Sequence, residues 1–94
     1  MIKFHNNIFK LKLKTYYIVF SSKWCKPCYF LKKKIKKIEQ KINLIFINID
    51  IDLFPNIAIK FKINKIPTLI KFNNSFIIYK KEINLKKIIF FLKK

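Results

Sequence analysis

The sequence predicts an α/β fold, a central mixed β-sheet flanked by helices, in the order β-α-β-α-β-β-α after an N-terminal piece. Three observations carry that prediction. Thr15–Phe20 is a run of β-formers with almost no polar side chain, and a strongly amphipathic helical stretch follows it closely. Leu44–Ile51 is a second such run. Leu69–Phe72 and Phe76–Lys80 are separated only by Asn73-Asn74-Ser75, a spacing that suits a hairpin. The 94 residues allow one domain with one modest core, taken as residues 1–94, and no repeat or linker interrupts them.

Each element has its own justification. A short strand is expected near Ile2–Phe4; Phe9, Leu11 and Leu13 alternate with lysines and fit either a helix or a strand. Thr15–Phe20 has the continuous apolar character of a strand covered on both faces. From Pro27 to about Lys41, Leu31, Ile35, Ile38 and Ile42 recur at helical spacing, with lysines on the other faces. Asp52 is expected to cap a short helix that Pro55 helps start. Asn tolerates the backbone conformations that tight hairpins need, which matters in a chain with no Gly. Leu85, Ile88, Ile89 and Leu92 mark a terminal helix.

Composition limits the partners. The formal net charge of +18 would suit a polyanion, but every one of the 22 basic residues is Lys. Arg, the usual bidentate reader of phosphate and guanine, is absent, so no specific nucleic-acid partner is expected. Ile, Lys, Phe, Asn and Tyr dominate, as mutational bias in an AT-rich genome would produce. On that reading most lysines are solvated faces. There is no run of 18 apolar residues, so no membrane span is expected. Residues 1–7 lack the apolar core and cleavage site of a secretory signal, and a cytoplasmic setting follows as the expectation. In a reducing compartment a cysteine pair is catalytic rather than structural.

The chemistry lies in Trp24-Cys25-Lys26-Pro27-Cys28, at the junction of the first long strand and its helix. These are the only two cysteines, and a Cys-x-x-Cys near a βαβ pattern reads as a dithiol redox site. A helix N-terminus favours the thiolate through free N–H groups and the positive end of the dipole. Lys26 and Lys23 act in the same direction if they lie near the sulfur. Pro27 fits the first helical turn, and Cys28 falls on the same side of the helix as Cys25. Zinc is a weaker reading, because a structural site needs four ligands and the chain offers two cysteines and His5. A structural disulfide is weaker too, since so short a loop removes little unfolded-chain entropy.

Together with Ile66-Pro67-Thr68 some forty residues later, this motif resembles that of the thioredoxin family, with Lys26 in place of the family's Gly. The resemblance can be followed from about Thr15 to the end and implies a thioredoxin-like fold with a shortened N-terminal region. It implies a protein-disulfide reductase in which Cys25 is the exposed nucleophile and Cys28 resolves the mixed disulfide. Trp24, Lys26, Pro27, Ile66, Pro67 and Thr68 would form the substrate-binding surface, with Pro67 cis and the Ile66 backbone pairing with an extended segment. No metal or other cofactor is implied beyond the Cys25–Cys28 pair itself. The implied partners are disulfide-containing proteins and a thioredoxin reductase or equivalent donor, acting on a monomer.

The chain departs from the family pattern in several places. The buried Asp that the family keeps six residues before its first cysteine is Val19 here, and its Lys partner is Asn48. Losing both together avoids a buried unpaired charge. Glycines of the family's docking surface fall at positions such as Lys65 and Lys81. Two other functions fit the same residues: a dedicated oxidant or isomerase of different poise, and a thioredoxin-fold binding module without turnover.

Overall fold

The computed structural model describes residues 1–3, 15–73 and 76–82. Among them five strands form one mixed sheet, β1 (Ile2–Lys3), β2 (Thr15–Ser21), β3 (Phe46–Asp50), β4 (Thr68–Asn73) and β5 (Phe76–Glu82), in the spatial order β1-β3-β2-β4-β5. β3 runs parallel to both β1 and β2, whereas β4 is antiparallel to β2 and β5. Two helices, α1 (Lys26–Lys41) and α2 (Pro55–Lys60), join these strands. The expected α/β arrangement with a central mixed sheet is therefore present. The 9–13 stretch, expected as helix or strand, the expected terminal helix at 85–92, and most of the Asn73-Asn74-Ser75 turn lie outside the described residues.

The unbroken apolar run of β2 is explained by its place. It is the middle strand, and alternate side chains enter two separate cores. Tyr17 and Val19 join Leu31 and Ile35 of α1, Phe46 of β3 and Leu69 of β4. Tyr16, Ile18 and Phe20 join Ile47, Ile49, Ile70 and Phe72 on the other face. Ile57, Ala58 and Phe61 of the α2 region cover that second core. Helix, sheet and helix thus make three layers.

α1 buries Cys28, Leu31 and Ile35 at spacings of three and four, which fixes Cys28 on the core-facing side. Ile42 belongs to the expected stripe but is the C-cap, extended and 51% exposed. The helix ends one residue before Ile42 could turn inward. β3 is also shorter than the Leu44–Ile51 run, although Leu44 and Ile45 already pack against opposite cores in the approach to the strand.

α2 begins at Pro55, but its N-cap is Phe54, which makes no side-chain cap. The expectation that Asp52 caps it is corrected: Asp52 lies two residues too early and its carboxylate is held elsewhere. At the other end the Ile63 amide donates to the Ala58 carbonyl and the Lys62 amide to the Ile59 carbonyl, both at 3.0 Å. This paired closure requires a left-handed residue at its corner, and Lys62 takes it with φ 54°. In a chain without Gly, a lysine occupies the position Gly usually fills. The turn sends Ile63, Asn64, Lys65 and Ile66 back toward the start of α1.

Candidate active site

Cys25 is the N-cap of α1. Its backbone is extended, at φ −85° and ψ 108°, while its carbonyl already accepts the Tyr29 amide at 3.1 Å. Its sulfur accepts the Cys28 amide at 3.2 Å, so one of the helix's free donors is aimed at Sγ. Pro27 occupies the first turn, where its missing N–H leaves no gap in the hydrogen bonding. The two cysteines are joined as a disulfide with Cα atoms 5.2 Å apart. Cys25 is 6% exposed and Cys28 0%. Cys25 is accordingly the more accessible sulfur, though far less open than an exposed nucleophile would be.

The neighbouring Trp24 is 70% exposed. Its indole Nε1 donates to Asp52 Oδ2 at 3.0 Å, and the Asp52 amide donates to Asp50 Oδ1 at 2.8 Å. The Ile51 amide donates to the Ser21 carbonyl at 2.9 Å, tying the loop after β3 to the end of β2. This chain of bonds holds the ring over the junction that carries Cys25. Asp52 is a site residue that sequence reasoning assigned to a helix cap. Its contact with Trp24 spans 28 positions, and no local pattern encodes it.

An open groove of about 500 Å³ runs beside the sulfur. Trp24, Cys25, Lys26 and Pro27 line one side, and residues 63–66 together with Ile51 line the rest. The Ile66–Pro67 bond is cis. Ile66 reaches the groove, while Pro67 and Thr68 are buried behind it. The Thr68 hydroxyl donates to the Lys65 carbonyl and so braces the loop from inside. Trp24, Cys25, Lys26, Pro27 and Ile66 are thus brought together, with Pro67 and Thr68 supporting them. Ile51, Ile63, Asn64 and Lys65 are additional lining residues; of these only Lys65 stood out in the sequence, as a lysine at a family glycine position.

Beneath the helix, Val19 pairs in register with Asn48 across β2 and β3. Val19 is fully buried, on the sheet face that α1 and Cys28 cover. Two residues along the same face of β2, the Ser21 hydroxyl donates to Asn48 Oδ1 at 2.7 Å. A neutral Ser–Asn hydrogen bond beside an aliphatic side chain thus stands where the family pattern has a buried carboxylate–lysine pair. Ser22, buried at 2%, has an Oγ with no hydrogen-bond partner in the structure. Among the described residues no cluster of three His, Cys, Asp or Glu side chains is placed to hold a metal. No helix among them is long and apolar enough to cross a membrane.

A sheet with this strand order, a dithiol at the start of the first long helix and a cis-proline loop facing it together define a thioredoxin-fold dithiol protein. The sequence model of the family Thioredoxin matches residues 2–94. The chain belongs to the thioredoxin family. It is 35% identical over 68 residues to a thioredoxin of Buchnera aphidicola subsp. Acyrthosiphon pisum, covering 69% of this chain and 63% of that protein. Thioredoxin H2 of Arabidopsis thaliana is 31% identical over 67 residues, 70% of this chain and 50% of the relative. The chain spans about half the length of curated relatives such as thioredoxins H2 and H5 of Arabidopsis thaliana and the thioredoxin of Echinococcus granulosus. Among solved structures, thioredoxin NaTrxh of Nicotiana alata superposes with a TM-score of 0.82 at 24% identity, covering 98% of this chain and 87% of that one. Thioredoxin f2 of Chlamydomonas reinhardtii gives 0.87 at 14% identity, over 99% and 94%. At those identities the likeness establishes the fold.

Proposed function

We propose that this protein is a protein-disulfide reductase working by thiol–disulfide exchange through Cys25 and Cys28. One observation carries the reading: Cys25 Sγ is the N-cap acceptor of α1 and, among the described residues, the one sulfur lining the groove beside it. In the reduced protein the Cys25 thiolate keeps the Cys28 amide as a donor and the helix dipole as a favourable field. It attacks one sulfur of a substrate disulfide, whose S–S bond breaks as a Cys25–substrate disulfide forms and the second substrate sulfur leaves as a thiolate. Cys28, as thiolate, then attacks Cys25. The substrate departs with both sulfurs reduced, and Cys25–Cys28 is left oxidised. Two electrons have moved, and the sulfur pair is their only carrier.

The groove supplies the docking surface. Trp24, Ile51, Ile63 and Ile66 offer apolar contact, and an extended substrate segment would lie between the Cys25 turn and the Ile66 loop. Recharging falls to a thioredoxin reductase or an equivalent dithiol donor, with the protein acting as a monomer in the cytoplasm. Insulin disulfide reduction driven by dithiothreitol tests the reading. The wild-type chain should accelerate precipitation of the reduced chains, Cys25→Ser should abolish the effect, and Cys28→Ser should accumulate a mixed disulfide through Cys25. A Cys25→Ser variant as active as the wild type would overturn the assignment.

A further inference from the structure

We infer that the groove selects disulfides flanked by acidic residues, with Lys26 and Lys65 as the selecting side chains. The inference rests on the reductase reading above and adds a substrate class to it. Lys26 lines the cysteine side of the groove and Lys65 the opposite side, and both are exposed. Lys23, also exposed, lies in the turn that leads into Cys25. Their charge is only partly matched locally. The chain has four acidic residues. Glu39 holds the N-terminal ammonium, Asp50 accepts the Asp52 amide, and Asp52 accepts the Trp24 indole. Glu82 lies in β5, its side chain outside the described residues. Among the described residues, the carboxylates of Asp52 and its neighbour Asp50 are thus set against the three charges of Lys23, Lys26 and Lys65, which leaves the rim net positive.

The apolar lining gives no preference among charged segments, so the rim decides. Carboxylates on either side of a substrate cysteine would meet a lysine on each side of the groove. Lysines on the substrate would meet the same charges and be repelled. The chemistry makes this selectivity distinctive. Acidic neighbours raise the pKa of the departing substrate thiol, which slows its release to an ordinary dithiol. Lys26 and Lys65 would offset that effect only within the groove. The protein's order of preference should therefore be the reverse of that shown by a small uncharged reductant.

Three cyclic disulfide peptides of equal length test this, with Glu, Gln or Lys flanking both cysteines. Each is reduced by the pre-reduced protein in single turnover and, in parallel, by dithiothreitol. Dithiothreitol should reduce the Lys peptide fastest. The protein should favour the Glu peptide over the Lys peptide by about tenfold at low salt, where steering is strong. That ratio should fall to within about twofold near 0.5 M salt, as the screening length shrinks below about 5 Å. Lys26→Gln combined with Lys65→Gln should lower the ratio several-fold. Lys36→Gln combined with Lys37→Gln, on the exposed side of α1, should leave it unchanged.

Equal rates for all three peptides would overturn the selectivity while leaving the reductase reading intact. So would a ratio that responds to the Lys36 and Lys37 changes as strongly as to those at Lys26 and Lys65, since overall charge would then explain it. Failure to reduce even the Gln peptide would instead overturn the reductase reading, and this inference with it.

Discussion

Val19→Asp is the most informative single change, because it inserts a carboxylate into a site that this chain has made neutral. Val19 is 0% exposed and surrounded by Tyr17, Leu31, Ile35, Phe46 and Leu69. The amide side chain directly opposite, Asn48, already accepts the Ser21 hydroxyl. An unpaired carboxylate there should cost about 3–5 kcal/mol, a large share of the roughly 5–15 kcal/mol that holds a domain together. Asn48→Lys alone should cost about 1–3 kcal/mol, because it removes the Ser21 bond and leaves a buried hydroxyl unpaired. In the double variant the two charges face each other in register. Their coupling should return about 1–3 kcal/mol relative to the sum of the single effects.

Urea denaturation of the four proteins of this cycle at neutral pH measures the coupling. Stopped-flow measurement of mixed-disulfide resolution adds the functional arm. A carboxylate beneath α1 gives Cys28 a proton acceptor that the wild-type chain lacks, so resolution should accelerate by about a hundredfold, the lower end of the usual range of general-base assistance. A Val19→Asp variant within about 1 kcal/mol of wild type would refute the burial argument. No coupling with Asn48→Lys would refute the register argument. A resolution rate unchanged by either Asp-containing variant would show that Cys28 is not short of a base.

Two further changes address the fold and its pH response. Lys62→Gly should stabilise the protein by about 0.5–1 kcal/mol, because the left-handed penalty it relieves exceeds the extra entropy Gly loses on folding; a lower urea midpoint would contradict this. Burial pushes the Tyr16 phenol above its usual range. The unfolded chain therefore ionises first as pH rises through about 10, so this group's contribution is complete below that pH and lost above it. Tyr16→Phe should accordingly lose less stability than wild type between about pH 8 and pH 11. Parallel losses in the two proteins would show that Tyr16 is not the group responsible.

The central strand, its helix and β4 were legible because local pattern and burial agree. β2 is apolar on both faces because it is covered on both, and Cys28, Leu31 and Ile35 share one helical stripe. The cysteine pair was legible for a related reason, since the end of the apolar strand and Pro27 together place Cys25 at the start of that helix and Cys28 in its first turn. Long-range features were not. Asp52 could be read as a cap from its neighbours, but its partner is Trp24. Ile42 fits the helical repeat, yet the chain leaves the helix just before it. The far side of the groove depends on how Lys62 turns the chain after α2, and a lysine gives no sign of a left-handed corner. A glycine at position 62 would have signalled that corner, and the family's buried charge pair the proton acceptor. Here they are replaced by residues whose roles appear only in three dimensions.

The most direct test of the central claim is a glutathione redox titration of the Cys25–Cys28 pair, with free thiols trapped at each poise. The reference is the thioredoxin potential of roughly −270 mV. The account predicts a single two-electron transition between these two sulfurs, nearer to that value than to −180 mV. A midpoint at roughly −120 to −180 mV would make the protein an oxidant or isomerase instead. If no Cys25–Cys28 disulfide formed at any poise, the exchange mechanism would be contradicted outright.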